Sequence, residues 1–437
     1  MGGHTNARKS PIYRRSEGLA AAQPQLVPSL GDRLESDHFV RSLRGLAEKA
    51  LGTELRSHSN LAGGFSYDPV DLLCVWLYGF MRGILTTRRL EEACRYDIRF
   101  EYLCRSCRPD HTTLSRFRLM LGPQMDALML RVLEEGESQK VLGRTTMAVD
   151  GTKIAARRSQ WLRKARQDAD RAQAFEEEAQ TMLTHGQYLV GYNVQTAADA
   201  DSGMIMGYAV SAKPEDSSQM PDVLAAVKKQ SGGLSKQAVA DKGYDGSQNA
   251  VALENAGVLA YLPRARKERI PPFTRAASGQ MVCAAGHVAA ESLWTNCNGR
   301  VYRVYRVSKC LKCPLKSSCP SKGHKQRQMY VADDDPGHAR LAANARCDKE
   351  DGKRLLRLRG PTIERPFAQI KHRFGLRRFG LAGMAKARTE FGIAVLAYNA
   401  QRLIRLVLAI FGCFQRQISP NFLIQAPNPA LGLPLAT

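Results

Sequence analysis

The sequence TIERPFAQIKHRF, residues 362–374, organises the interpretation of the whole chain. Glu364 and Lys371 lie nearly two turns apart on an α-helix, so both side chains project from one face. Pro366 fits a helix best in its first turn, which predicts that the helix begins at Glu364. A carboxylate and a lysine aligned in this way suit a metal ion and a phosphate, whereas an ordinary surface ion pair gives the same pattern. Apolar side chains on a neighbouring stripe are expected to anchor this helix to a core: Phe367, Ile370 and Phe374.

The composition favours a globular protein with a polyanionic partner. The chain has 437 residues, enough for two or three domains, and 44% of them are hydrophobic, so a sizeable core can form. Its 64 Lys and Arg residues outnumber 41 Asp and Glu residues, and the net charge of +23 favours nucleic acid before anionic membrane. No apolar run predicts a bilayer span, since the best stretch, Phe391–Phe414, contains arginines. The 11 cysteines, without an export signal, favour a reducing, cytoplasmic compartment.

The sequence pattern changes along the chain and predicts four parts. Residues 1–34 are basic and aperiodic, as in a flexible tail, and residues 35–140 have helical periodicity throughout. Residues 141–411 alternate strands with helices, and residues 412–437 form a proline-rich tail. Two insertions are predicted in the α/β part, a charged helical one at 157–184 and a cysteine-rich one at about 270–345.

The helical part carries a basic helix. Thr86–Arg95 has a hydroxyl cap and early glutamates, and Arg108–Arg118 predicts a turn, a cap and a second helix. A second helix bearing Thr112, Arg116 and Arg118 favours a helix-turn-helix that reads duplex DNA. A plain helical bundle with a solvated basic face fits the same pattern, and this segment alone leaves both interpretations open.

Two aspartates follow apolar strands in the α/β part. One strand is predicted to end at Asp150 and another at Asp241. The predicted order of elements is strand, strand, strand, helix, strand, helix, strand, followed by the helix of Glu364. Open α/β sheets keep their chemistry at strand ends. If the two strands are neighbours, the carboxylates repel each other unless a cation lies between them. With Glu364 they form three hard oxygen ligands that suit two Mg²⁺ or Mn²⁺ ions about 3.5–4 Å apart. Each aspartate alone also fits a strand-end cap.

Three motifs carry a resemblance to a known family. Val149–Thr152 (VDGT), Ala240–Asp245 (ADKGYD) and Glu364–Phe367 (ERPF) with Lys371 resemble the motifs of DDE transposases from bacterial insertion sequences. The segment Arg108–Arg118 is similar to part of that family's helical N-terminal domain. Most of the chain is therefore included in the resemblance.

The resemblance implies an α/β fold of the RNase H-like class, a mixed sheet flanked by helices, with an all-helical N-terminal domain and a small cysteine-rich insertion. It also implies metal-dependent cleavage of double-stranded DNA at the element's terminal inverted repeats, then strand transfer to target DNA by a homodimer. By resemblance, Asp150, Asp241 and Glu364 bind Mg²⁺ or Mn²⁺, and Lys371 contacts a phosphate near the cleaved bond. Lys242, beside Asp241, is a further expected DNA contact.

The turn before the glutamate departs from the family pattern. Related transposases often carry a tyrosine and then an arginine at the positions that Arg357 and Gly360 occupy here. Arg359 is the candidate replacement for the phosphate-binding arginine. The departure leaves open whether a hairpin intermediate forms on the flanking strand.

Cysteines in the second insertion predict another metal. Cys310 and Cys313 have CxxC spacing, Cys319 follows them, and Cys283 offers a fourth thiolate from a turn. Four thiolates suit a tetrahedral, structural Zn²⁺, which leaves no open position for water. Unmetallated cysteines in a small β insertion are the alternative. The rival fourth ligands are Cys297, His287 and His324.

Three functions are compatible with these patterns. The first is a DDE transposase in the bacterial cytoplasm, associated with the nucleoid. The second is a metal-dependent nuclease of the same fold that lacks strand transfer. The third is a catalytically silent DNA-binding protein derived from a transposase, and the intact acidic trio argues against it because a silent protein has no chemical reason to keep all three carboxylates.

Overall fold

The structure, a computed structural model, forms a helical N-terminal block, a central mixed sheet with helices on both faces, and a small β insertion. The predicted tails at 1–34 and 412–437 lie largely outside the described residues. The structure describes residues 29–58, 67–157, 161–162, 178–184, 186–265, 273–276, 280–297, 300–319, 326–332 and 337–418.

The helical block extends over residues 39–138. Its third helix is buried along its whole length, as its continuously apolar sequence predicts. Asp68 caps this helix, because its carboxylate accepts a hydrogen bond from the Val70 N–H at 3.0 Å. The helices are α1 (Phe39–Leu46), α2 (Gly52–His58), α3 (Pro69–Met81), α4 (Thr87–Tyr96), α5 (Ile98–Leu103), α6 (His111–Met120) and α7 (Met125–Ser138).

The central sheet contains the predicted strands and helices in the predicted order, with two further strands, β2 and β3, in the first insertion. Its strands and connecting helices are β1 (Thr146–Ala155), β2 (Trp161–Leu162), β3 (Gln180–Thr184), β4 (Gln187–Asp199), β5 (Ile205–Ser211), α8 (Met220–Ser231), β6 (Gln237–Val239), α9 (Ser247–Asn255) and β7 (Leu259–Tyr261). The spatial order is β5–β4–β1–β6–β7, antiparallel from β5 to β1 and parallel from β1 to β7. This mixed arrangement, flanked by helices, is consistent with an RNase H-like fold.

Helices cover both faces of the sheet, because successive side chains of a strand point to opposite faces. Val149 and its neighbours on one face pack against α8, α9 and a further helix, α10 (Gly337–Asp348). The other face is covered by α11 (Glu350–Ala368), where Ile363 and Phe367 pack against Ala148 of β1. Helix α11, which carries Glu364, is thereby fixed to the strand that carries Asp150.

Asp150 lies in the middle of β1 rather than at its end, so the predicted strand end is wrong. Strand β1 continues to Ala155 because β4 pairs with it along this whole length, with Asp150 opposite Thr196. Strand β6, in contrast, pairs with β1 only as far as Ala148. Asp150 therefore lies where one edge of β1 becomes free of its neighbour β6.

Helix α11 begins at Glu350, so the prediction that the helix starts at Glu364 is wrong. Both Pro361 and Pro366 lie inside it. An interior proline removes a helix hydrogen bond at a cost of about 3 kcal/mol. Burial of the helix's inner face offsets this cost, and the Thr362 hydroxyl donates to a carbonyl one turn earlier at 2.8 Å. The predicted anchors are confirmed as buried: Phe367, Ile370 and Phe374.

Strands form in both predicted insertions. Gln180–Thr184, assigned above to a helical insertion at 157–184, is strand β3 and pairs with β4, which buries Met182. Residues 163–177 of that insertion lie outside the described residues. The strands of the cysteine-rich insertion are β8 (Thr274–Arg275), β9 (Met281–Val282), β10 (Ala290–Cys297), β11 (Arg300–Val307) and β12 (Arg327–Ala332).

The last described helix, α12 (Met384–Ile418), joins the helical block to the sheet. Its portion Met384–Ile410 is long and apolar enough to cross a membrane by length and composition alone, contrary to the expectation from sequence. However, 61% of its most apolar window is buried inside the protein, as in a core helix. The helix also continues past residue 412, where a tail was predicted to begin.

Candidate active site

Asp150 and Asp241 lie where two neighbouring strands separate. Strands β1 and β6 are parallel and pair as far as Ala148 opposite Val239, and each aspartate follows the last paired residue of its strand by two positions. Neighbouring strands are separated by about 4.8 Å. Asp241 caps a short 3₁₀ turn, since its carboxylate accepts a hydrogen bond from the Gly243 N–H at 2.8 Å. The two aspartates therefore lie near the point where β1 and β6 separate, and a shared metal ion stays a prediction.

Arg359 of α11 forms an ion pair with the first of these aspartates. Its guanidinium Nη1 lies 2.7 Å from Asp150 Oδ2, and both side chains are about one-fifth exposed. The other oxygen, Oδ1, accepts the Gly151 N–H at 2.8 Å. Arg359, proposed from sequence as a phosphate contact, thus forms an ion pair with a site carboxylate.

The pKa of Asp150 is raised from 3.8 to about 6. Burial is the largest cause, because a desolvated carboxylate favours its neutral form, and the negative charge of Asp241 acts in the same direction. The Arg359 guanidinium opposes both but does not cancel them. A cation bound next to Asp150 would favour the ionised carboxylate and so oppose the effects of burial and of Asp241.

Glu364 lies in α11, whereas Lys371 lies in the π-helical turn Gln369–Arg373 that continues it, and their surroundings differ. Glu364 is exposed, and its Oε1 lies 3.3 Å from where a side chain at Gly360 would begin. Lys371 is half-buried, and its ammonium donates to the Thr152 hydroxyl at 3.0 Å and to the Lys153 carbonyl at 3.3 Å. Burial, and then the charge of a neighbouring arginine, lowers the pKa of Lys371. Lys371 thus lies against β1, at the residues two and three positions after Asp150.

The carboxylates fit a hard divalent cation in their chemistry. Two oxygen donors lie side by side, one is desolvated, and the buried Thr196 hydroxyl opposite Asp150 has no hydrogen-bond partner among the described residues. Across the described part of the chain, no group of three His, Cys, Asp or Glu side chains is arranged to hold a metal. The reason at this site is that Arg359 is bound to Asp150 and Glu364 points to solvent.

All four predicted thiol ligands line one small cavity of the cysteine-rich insertion, together with His287. The thiols are not yet directed at a common point: Cys310 Sγ lies 3.2 Å from the Val307 carbonyl instead. His324 and the Cys297 side chain lie outside the described residues. The four predicted ligands that line the cavity are Cys283, Cys310, Cys313 and Cys319.

Only part of the predicted DNA-contact set on the basic helix α6 is exposed. Thr112 and Arg116 are exposed. Arg118 is buried, 3.6 Å from the equally buried Glu390 and 4.8 Å above the Trp76 ring, so its assignment as a DNA contact is wrong. The reason is helical spacing, which places Arg118 one turn after a buried leucine on the inward face. Lys242, the contact predicted beside Asp241, is exposed.

One acidic residue near the site was not predicted from the sequence. Asp216 precedes α8, and its Oδ1 accepts hydrogen bonds from Gln195 at 2.7 Å and Asn193 at 2.8 Å, both on β4. Asp216 lies in an exposed polar loop without periodicity. Its orientation is therefore visible only in the folded structure. The one sequence signal was the pair of small residues, Gly151 and Gly243, that follow the two site aspartates.

The fold is consistent with the RNase H-like class, and two aspartates follow the paired segments of its interior strands β1 and β6. Residues 282–404, which include Glu364, match a sequence-family model described as a transposase DDE domain. Residues 28–119 match a second one, described as a transposase domain (DUF772). The two matches identify the chain as a member of the DDE transposases of insertion sequences. None of the curated proteins matches it.

Proposed function

We propose that this transposase cuts double-stranded DNA at the terminal inverted repeats of its element and joins the freed ends to target DNA. Water would attack the phosphodiester and release a 3′-hydroxyl, and that hydroxyl would then attack a target phosphodiester. The observation that supports this proposal is that Asp150 and Asp241 follow neighbouring parallel strands closely enough for the charge of Asp241 to act on Asp150, under the helix that carries Glu364. The chain would act as a homodimer on two element ends, in the bacterial cytoplasm at the nucleoid.

Asp150, Asp241 and Glu364 would hold two Mg²⁺ or Mn²⁺ ions. Such ions lower the pKa of bound water and stabilise the leaving oxygen. Arg359 would leave Asp150 when the cation enters and contact a DNA phosphate, because the arginine and the cation compete for the same carboxylate oxygen. Lys371, held beside β1 by Thr152, would place its ammonium near the phosphate of the cleaved bond.

The remaining DNA contacts would come from exposed cations and hydroxyls. Thr112 and Arg116 project from α6, and Lys242 projects from the turn after Asp241. Arginine and lysine contacts to phosphate release counterions, so binding should weaken with salt. The net charge of +23 agrees with such a footprint.

We also propose that the cysteine-rich insertion binds one structural Zn²⁺. Its support is that four thiols from two separate segments line one cavity. Metal analysis of the purified protein should find about one zinc per chain, and Cys310→Ser should remove it. Cys347→Ser, at a buried cysteine outside this insertion, is the matched control. Equal zinc in all three proteins would contradict the proposal.

The decisive experiment mixes the protein with Mg²⁺ and DNA that carries the element's ends. Joined products support transposition, cleavage alone supports a nuclease without strand transfer, and a mobility shift without cutting supports a silent DNA-binding protein. Asp241→Asn should abolish cutting and leave end binding nearly intact, whereas Glu254→Gln, an exposed carboxylate on α9, should cut normally. Retained cleavage by Asp241→Asn would overturn the site assignment.

A further inference from the structure

Asp216 is held rigidly although it lies in an exposed loop. Its side chain accepts hydrogen bonds from Gln195 and Asn193, and Lys153 Nζ lies 3.5 Å from the same oxygen. Its main-chain carbonyl accepts a further bond from Asn249 at 3.1 Å. The three amide donors are fully buried. A loop carboxylate fixed at both side chain and backbone by buried amides is oriented towards a definite position.

That position is between the two motifs of the active site. A side chain at Gly151, the residue after Asp150, would begin 2.8 Å from Asp216 Oδ1. A side chain at Gly243 would begin 3.6 Å from Asp216 Oδ2 and 3.0 Å from Asp241 Oδ1. Oxygens of Asp216 and Asp241 therefore share the space beside Gly243. Asp216 lies on the α8 face of the sheet with Gly151, whereas the Asp150 carboxylate lies on the α11 face with Arg359.

A buried acceptor beside Asp216 also calls for a ligand. Asn193 is fully buried, and its Oδ1 has no hydrogen-bond partner among the described residues. Its amide nitrogen donates to the carboxylate of Asp216 and to the carbonyl of Lys213, which fixes the oxygen as the atom facing Gly151. An unpaired buried oxygen next to a carboxylate is costly unless a cation or its bound water is present.

We propose that Asp216 is a fourth acidic residue of the catalytic centre and, with the Asn193 oxygen, helps Asp241 to bind one of the divalent ions. The proposal rests on the proposed function, since it assigns a ligand to the same site. In the structure Lys153 partly neutralises Asp216, as Arg359 neutralises Asp150. Entry of the cation would displace Lys153 from Asp216.

The test measures Mn²⁺ binding to the full-length protein by electron paramagnetic resonance, without DNA. Asp216→Asn keeps the size and hydrogen-bond acceptor of the side chain, and it should weaken Mn²⁺ binding at one site by about tenfold or more. Lys153→Met removes the competing cation and should instead tighten Mn²⁺ binding several-fold. Glu215→Gln, the exposed neighbour in the same loop, is the matched control and should bind as the wild type does.

Cleavage with different metals provides a second readout. Asp216→Cys should cut DNA poorly with Mg²⁺ and recover with Mn²⁺, because a thiolate binds the softer ion better. Unchanged Mn²⁺ binding in both Asp216→Asn and Lys153→Met would overturn the proposal even if cleavage falls, since Asp216 would then only hold the loop. Failure of the wild type itself to bind Mn²⁺ would overturn the proposed function instead.

Discussion

Asp150→Asn should stabilise the metal-free protein while it abolishes DNA cleavage. In the structure this carboxylate is desolvated and lies next to Asp241, and the ion pair with Arg359 does not compensate fully. An asparagine keeps the shape and a hydrogen-bond acceptor for the arginine, but it removes the buried negative charge. The substitution therefore relieves an unfavourable feature of the fold.

The magnitude follows from the pKa of Asp150, raised from 3.8 to about 6. Each unit of pKa difference between folded and unfolded protein corresponds to 1.36 kcal/mol, so the ionised carboxylate costs about 3 kcal/mol. A side chain that is 20% exposed is still mostly shielded from solvent, so about 3 kcal/mol is the upper end of the expected gain. Such a gain raises the melting temperature by several degrees.

The effect has a defined pH window. Because the folded protein holds the Asp150 proton more tightly than the unfolded chain, wild-type stability falls as the pH rises from about 4 to about 6. The asparagine variant lacks this loss, so the difference between the two proteins should be absent near pH 4 and complete above pH 7. Thermal unfolding in EDTA across this range measures it. Added Mn²⁺ should stabilise the wild type and not the variant.

Asp245→Asn is a control of opposite sign. Burial alone would raise the pKa of Asp245, but hydrogen bonds from Arg340 at 2.7 and 2.9 Å, and from other donors, lower it instead. This carboxylate is stabilising when ionised, so its replacement should lower the melting temperature at pH 7. The reasoning fails if Asp150→Asn destabilises the protein in EDTA, or if its effect does not change between pH 4 and 7.

Further substitutions and one chelation experiment test other parts of the structure. Arg116→Ala should weaken DNA binding and reduce its salt dependence without changing thermal stability. Arg118→Met should destabilise the protein by about 3–5 kcal/mol, since Glu390 is left buried without a counter-charge. Adding Glu390→Gln to Arg118→Met should restore most of that loss, as chemical denaturation would show. Gly151→Ala should lose both cleavage and stability, because the new methyl group would lie 2.4 Å from a buried amide nitrogen; normal melting would contradict the close approach. Zinc removal by a chelator should lower the melting temperature of the wild type but not of Cys310→Ser.

The sequence predicts the strands of the sheet, although not the end of β1, because strands depend on local patterns. Apolar runs followed by Asp150 and Asp241 are visible in the sequence, and the parallel neighbours of an α/β sheet bring such positions together. Asp216 has no such signal, because three buried amides from distant elements decide its orientation. Its role at the site emerges only from tertiary structure.

Two wrong predictions have a common physical origin. Pro366 was expected in a first turn and Arg118 was expected at the surface, on the usual preferences of proline and arginine. In the structure, packing outweighs both preferences. Pro366 lies on the buried face of α11, and Arg118 is held between Trp76 and Glu390. Residue-type preferences cannot predict such sites, since their partners lie far away in the sequence.

Helix α12 has a consequence for how the protein is made. It supplies much of the core of the helical block, and its Glu390 partners Arg118 of α6. The ribosome produces α6 long before α12, so the nascent chain carries a basic helix whose buried arginine has no counter-ion until synthesis is nearly complete. The helical block therefore reaches its native packing only after translation has passed α12. A product that stops before Met384 should remain a substrate for cellular proteases rather than compete with the complete protein for DNA.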